Sequence, residues 1–579
     1  MRRWAVIVAV CAAGLACVAA PARAGHLALT KGPYLQHPSP TGITVQWETD
    51  QPGTGLVHLK AAGDAAERSV DGALFDSVRT LKAPRDDKAP LNPRYLYRAR
   101  LTDLAPDTEY TYSVVVTFEN GSVTSGDLKL HTWPEKATGP VTFIIYGDTR
   151  SSPDKHRSVV RNFNPINPAF ILHVGDLCWD SDIYGLWSRE FFDPLHDVID
   201  HVPMFIARGS HEKDPKQMFR LFDMPQGRTN YSFECWPVHV VILDVPKTDD
   251  KGKDSVAKWV AQDLAATQAP WRIAMYHAPS INFSGHRSYA VRTTYLAALG
   301  KGGVDFIVAG HSHQYERFVP LGREKDPDGR MPITFMTVAG GGAPLHRVAS
   351  SSPLLASAAS CLCYTVFTVD EHSLTMKAFN EKGEEFDSLT VTKTAGRYDD
   401  AYLAKARPLE EAILVQGLAR MELPVVQDVP TPKHPLDLKL KASFPGLGEP
   451  VALSVRLAES AEAHYAMEPA SASGDAKTEE IKLSAAARPL GPVATRGGEV
   501  WERPAEKDVL GKKTFLDPGL VFIVTASAGG VKAEREFAGV VYYGKGGPIP
   551  KPKPDDEMDE DEDGDMPAFV KELDKTAKQ

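Results

Sequence analysis

Five apolar runs in the middle of the chain each stop at residues that can bind a metal or move a proton. VTFIIY, from Val141, is followed by Gly147-Asp148-Thr149-Arg150, and AFILHV, from Ala169, by Gly175-Asp176-Leu177-Cys178-Trp179. PMFIA, from Pro203, leads to Ser210-His211-Glu212; RIAMY, from Arg272, leads to His277; VDFIVA, from Val304, leads to Gly310-His311-Ser312-His313. One histidine or one Gly-Asp after a strand is an ordinary turn feature. Five such tips, ending in His-x-His, point to a metal site. Carboxylates mixed with imidazoles suit Mn, Fe or Zn better than all-oxygen calcium. An aspartate on a middle strand can bridge two ions with its two oxygens, and paired ions are a device for in-line displacement at phosphorus.

The elements that must position these residues follow from the same runs. Continuous apolar runs separated by helical stretches read as strands buried on both faces, the pattern of α/β layers. Ligands in such sheets bind beyond the carboxyl ends of the strands. Upstream, from residue 25 to about 133, the pattern changes to alternation: GITVQWET and the strand after the Pro-Asp turn of LTDLAPDTEYTYSVVV read as a β-sandwich. Residues 436–543 alternate again and read as a second sandwich, after a helix in PLEEAILVQGLARM and a Pro-rich linker. The expected division is 1–24 signal peptide, 25–136 β-sandwich, 137–396 α/β domain, 397–435 helix and linker, 436–543 β-rich domain, and 544–579 linker with an acidic disordered tail.

The order Gly-Asp, Gly-Asp, Gly-Ser-His-Glu, His, Gly-His-x-His resembles that of the calcineurin-like metallophosphoesterases. With L-x-P-x-T-x-Y-x-Y and KGPYLQ in front, the chain resembles the purple acid phosphatase branch with its N-terminal fibronectin type III-like domain. The resemblance implies a four-layer αββα domain and a binuclear centre of Fe, Mn or Zn. Asp148, Asp176 and His313 would hold one ion; Asp176, Ser210, His277 and His311 would hold the other. It implies hydrolysis of a phosphate monoester by a hydroxide that the metals make available, with His211, Arg150 and His286 facing the substrate. Three positions depart from the family pattern. Trp179 replaces the tyrosine that ligates ferric iron, and an indole N–H cannot ligate. Arg150 stands where many relatives have a metal-binding histidine, and its fork suits phosphate instead. Ser210 replaces an asparagine, offering a shorter-reaching hydroxyl. A phosphodiesterase or nucleotidase on the same site, and a catalytically impaired binding protein of phosphatase fold, are the alternatives.

Composition excludes some partners. The formal charge is −10, but 555–565 alone holds nine acids and no base, so the rest is nearly neutral and carries no basic footprint for nucleic acid. Arg2 and Arg3, an apolar run to Ala20 and Ala22-Arg23-Ala24 form an export signal, with lipidation at Cys17 a secondary reading. The expected location is the periplasm or outside the cell, with no other membrane-spanning segment. Cys178, Cys235, Cys361 and Cys363 fit neither a disulfide framework nor a zinc pattern. The C-terminal sandwich is a candidate surface for an unknown partner.

Overall fold

The computed structural model describes residues 28–543, apart from 65, 79–92, 137, 246–252, 284–288, 323–331, 349–351, 420, 422–424, 427–435, 448, 463–464, 475–479, 491–513, 517–519 and 539–540. The export signal with Cys17, His286, most of the Pro-rich linker and the acidic tail lie outside the described residues.

The front of the chain forms an eight-stranded β structure. Strand Arg68–Val78 belongs to both halves: Arg68–Gly72 pair with Thr54–Ala61, and Ala73–Val78 with Arg94–Leu101. The two halves enclose Trp47, stacked on Tyr97, together with Val57, Tyr112 and Val114. Alternation in Glu109–Phe118, exposed and buried by turns, reflects the period of two along a strand that faces a core on one side.

Two seven-stranded sheets make the centre. In the first, Val141–Tyr146, Ile171–His173 and Met204–Ile206 run parallel, flanked on one side by the antiparallel strands Cys363–Val369, Ser373–Asn380 and Glu385–Thr394. In the second, Val238–Ile242, Trp271–Tyr276, Phe306–Ala309 and Thr334–Val338 run parallel. Side chains from both sheets share one core, in which Phe143 stacks on Phe170 and Phe367, and Trp271, Met275 and Phe306 face them. The alternate residues of the second sheet, Val241, Ala274 and Ile307, point the other way, into a core with helices Lys253–Ala266 and Tyr289–Lys301. Burial on both faces is why these strands read as unbroken apolar runs.

That second core continues into the C-terminal part. It takes in Ile413, Leu414 and Leu418 of helix Leu409–Ala419, then Leu438, Leu453, Val455, Phe522 and Val524 from two further sheets. Arg535 donates to the carbonyls of Leu418, Ala419 and Met421 at 2.7–2.9 Å, satisfying acceptors that a helix C-terminus leaves open. The four cysteines of the described residues are free thiols. No helix among the described residues is long and apolar enough to cross a membrane.

Candidate metal centre

Register places the loops. Tyr146, His173 and Ile206 are ladder partners on neighbouring parallel strands, so the chain leaves the first sheet at one edge three times. Tyr276 and Ala309 are partners on the second sheet and deliver His277 and His311 toward that edge. Asp148, Asp176 and His311 have φ of 58°, 57° and 67°, a left-handed backbone that costs a non-glycine residue of order 1 kcal/mol. Hydrogen bonds between the loops hold it in place. The His311 N–H donates to both Asp148 oxygens at 2.9 and 3.1 Å, and the His211 N–H donates to Asp176 Oδ1 at 3.0 Å. Such close approach requires glycine beside it. A Cβ on Gly209 would fall 2.2 Å from Asp176 Oδ1, and one on Gly310 would fall 2.4 Å from Asp148 Oδ2.

The side chains gather into two clusters, Asp176 with His277 and His311, and Asp148 with Asp176 and His313, whose ligand atoms lie within 4.8 Å of one another. Asp176 is common to both. The outer nitrogens fix the tautomers: His277 Nδ1–H donates to the Val174 carbonyl at 2.9 Å and His313 Nδ1–H to Pro344 at 2.7 Å. Each Nε2 therefore points inward, the orientation of metal-ligating imidazoles. His277 Nε2 is buried without a hydrogen-bond partner, 3.2 Å from Asp176 Oδ1. A buried orphan nitrogen beside a carboxylate fits a cation, and the donor set suits a first-row metal. Ser210 Oγ lies 3.4 and 3.5 Å from the two Asp176 oxygens.

Charge is concentrated here. Burial opposes the charged form of His277, but the Asp176 and Asp148 carboxylates push it up to about 9. Burial, with Asp176 alongside, raises the Asp148 carboxyl well above the ordinary range. Asp176 is held well below that range against burial, by His277 and His211.

Around the clusters stand the residues assigned to substrate. His211 Nδ1–H donates to the Trp179 carbonyl at 2.5 Å, its ring lies 5.0 Å from the indole, and its Nε2 is 4.0 Å from Asp176 Oδ2. Arg150 is only 2% exposed and sits 5.0 Å over the Trp179 ring. Its Nε donates to Asp176 Oδ2 at 3.4 Å and its Nη2 to His313 Nε2 at 3.3 Å. His286 is outside the described residues.

Three supporting residues carried no role in the sequence reading. Glu212 accepts from the N–H groups of Gly209, Asp176 and Leu177 at 2.7–2.9 Å and ties two loops together. Burial, then Asp176, raises its carboxyl to about 7. Glu190, in the π-helix Trp187–Phe192, accepts from Ser151 N and Trp179 N. His346 stacks on His313 at 4.3 Å and accepts its N–H. Only Glu212 had a visible signal, its place directly after His211.

Residues 141–315 match the family model for calcineurin-like phosphoesterase, and residues 26–132 that of the purple acid phosphatase N-terminal domain. Residues 26–132 thus resemble a purple acid phosphatase N-terminal domain, and residues 141–315 a calcineurin-like phosphoesterase domain. Over 229 residues it is 28% identical to purple acid phosphatase 18 of Arabidopsis thaliana, covering 36% of this chain and 51% of that protein. Over 364 residues it is 22% identical to the same plant's "Probable inactive purple acid phosphatase 1", covering 52% and 58%. The chain thus spans somewhat over half the length of these relatives. A purple acid phosphatase from yellow lupin (Lupinus luteus) seeds superimposes with a TM-score of 0.54 at 18% identity, over 64% of this chain and 75% of that one, a likeness of fold. The matched phosphoesterase region contains every residue of the two clusters.

Proposed function

We propose that the chain is a metal-dependent phosphoesterase that hydrolyses phosphate monoesters. The observation that carries this reading is the pair of ligand clusters sharing Asp176, at the strand tips of a calcineurin-like phosphoesterase domain. Asp148, Asp176, His277, His311 and His313 would hold first-row metal, Mn, Fe or Zn, with Ser210 beside Asp176. A metal bound there supplies positive charge for the phosphate oxygens and lowers the pKa of water to a useful range.

The chain's own groups do the rest. His211 is fixed by the Trp179 carbonyl with Nε2 toward the clusters, where it can exchange a proton with the leaving oxygen of the ester. The Trp179 ring lies beside both His211 and Arg150 and restricts their motion. Arg150 adds fixed positive charge next to Asp176. A terminal phosphate dianion matches that charge better than a diester monoanion, which supports monoesters as the substrate class. We place the protein outside the cytoplasm on the strength of residues 1–24; N-terminal sequencing of the mature chain should begin at Gly25.

The test is turnover of an aryl phosphate monoester and its bis-aryl diester by metal-free and metal-loaded protein. Metal-dependent release from the monoester, with the diester slower, is expected. Equal or faster diester cleavage would overturn the monoester assignment.

A further inference from the structure

The two clusters are not equivalent. We propose that this centre holds a single tightly bound metal ion, at Asp176, His277 and His311, and that the Arg150 guanidinium takes the place of a second. This rests on the phosphoesterase reading above and narrows it.

The argument starts from which lone pairs are engaged. In the cluster of Asp148, Asp176 and His313, the His313 tautomer set by the Pro344 carbonyl makes Nε2 an acceptor, and Arg150 Nη2–H donates to it at 3.3 Å. Arg150 Nε–H donates to Asp176 Oδ2 at 3.4 Å. Two of the three residues that would ligate an ion there already face a guanidinium. Ser151 Oγ at 3.4 Å and the Trp179 ring at 5.0 Å keep it in that position, in a pocket where it is 2% exposed. A guanidinium does not deprotonate in proteins, so its charge cannot be traded for a metal's. An ion in that cluster would meet an unyielding like charge at short range, with burial weakening the screening.

In the other cluster His277 Nε2 faces Asp176 Oδ1 rather than the Oδ2 that Arg150 engages, and it is buried without a hydrogen-bond partner. Beside the cluster of Asp148, Asp176 and His313, Trp179 and Arg150 offer only N–H donors. Ser210 Oγ stands by Asp176, the ligand common to both clusters.

The experiment is metal stoichiometry rather than activity. Metal-free full-length protein is titrated calorimetrically with Mn²⁺, and the Mn-loaded protein is examined by electron paramagnetic resonance. One tight equivalent is expected, with any second site weaker by at least about 100-fold, and a spectrum of isolated Mn²⁺. His277→Ala should abolish tight binding, while His313→Ala should change it by less than about 10-fold. Arg150→His, which exchanges the fixed charge for a possible ligand, should add a second equivalent with exchange-coupled ions. Two comparable equivalents in the wild type, or tight binding that follows His313 instead of His277, would overturn the proposal. If Arg150→His does not fold, as judged by circular dichroism, the wild-type stoichiometry and spectrum still decide. Binding of no metal would remove the phosphoesterase reading itself, whereas two equal sites would remove only this inference.

Discussion

At the scale of the residue, the centre depends on a few atoms whose replacement has a definite direction. Ser210 Oγ reaches only to 3.4 Å of Asp176, and Ser210 itself is half-buried. Ser210→Asn brings an amide oxygen that can ligate, so Mn²⁺ affinity should rise by roughly 10-fold, read by calorimetry. Unchanged affinity in a folded variant would make position 210 a bystander. Glu212 offers carboxylate lone pairs to three N–H groups. Glu212→Gln replaces one acceptor oxygen with an NH₂ donor aimed at a donor. Unfolding stability should fall by about 1–3 kcal/mol in urea titration, with metal affinity reduced alongside. The gathering of the histidines and aspartates was legible in the sequence because they follow apolar runs, His311 and His313 sharing one. Glu190 was not, since nothing in WSREFF marks a glutamate as the acceptor for Ser151 and Trp179 across the fold. His346 was equally hidden, because its link to His313 is a stacking contact between loops.

At the scale of the element, the strands were readable because burial on both faces leaves an unbroken apolar run. The helix turns that support the loops were not. His156, on helix Pro153–Val160, illustrates what lies beneath the Asp148 loop. Its Nδ1–H donates to the Glu190 carbonyl at 2.8 Å, and its Nε2 accepts from the Tyr146 hydroxyl at 3.1 Å, so the ring is held neutral. Burial, the largest influence, lowers its pKa from the ordinary 6.5 to about 4. The unfolded chain therefore binds a proton that the folded chain does not between those two values, and stability falls as pH drops through that window. The expected loss is roughly 3 kcal/mol from this group. His156→Gln can both donate and accept without titrating, so its stability difference from wild type should shrink or reverse toward pH 4 in denaturant curves. A difference constant with pH would show that His156 is not held neutral.

For the whole molecule, the N-terminal domain is tied to the phosphoesterase domain by buried charge. Lys31 and Glu48 form an ion pair at 2.8 Å with both side chains 1% exposed, Arg94 approaches the same carboxylate at 3.3 Å, and Tyr184 donates to its other oxygen. Tyr184 lies shortly after Trp179 in the chain, so this contact also anchors the loop that carries Trp179. Glu48→Ala leaves a buried lysine unpaired and should cost about 3–5 kcal/mol, measured as a drop in the urea midpoint. A loss below about 1 kcal/mol would show that the pair is open to water. The alternating strands of the C-terminal part were legible, but its shared core with helix Leu409–Ala419 and the second central sheet was not. That core is made by faces far apart in sequence, with Leu418, Phe522 and Val524 all members of it, and periodicity within one element carries no information about its partner.

The most direct test of the account is metal-dependent hydrolysis, because the claim unites the fold, the clusters and the chemistry. Purified protein is stripped of metal, assayed on an aryl phosphate monoester, then reloaded with Mn²⁺, Fe²⁺ or Zn²⁺, in parallel with Asp176→Asn. Asp176 is the carboxylate common to both ligand clusters. Activity should vanish on stripping, return on reloading, and stay at least about 100-fold lower in the variant together with its metal content. Hydrolysis that survives stripping, or an Asp176→Asn protein that keeps both metal and turnover, would contradict the account.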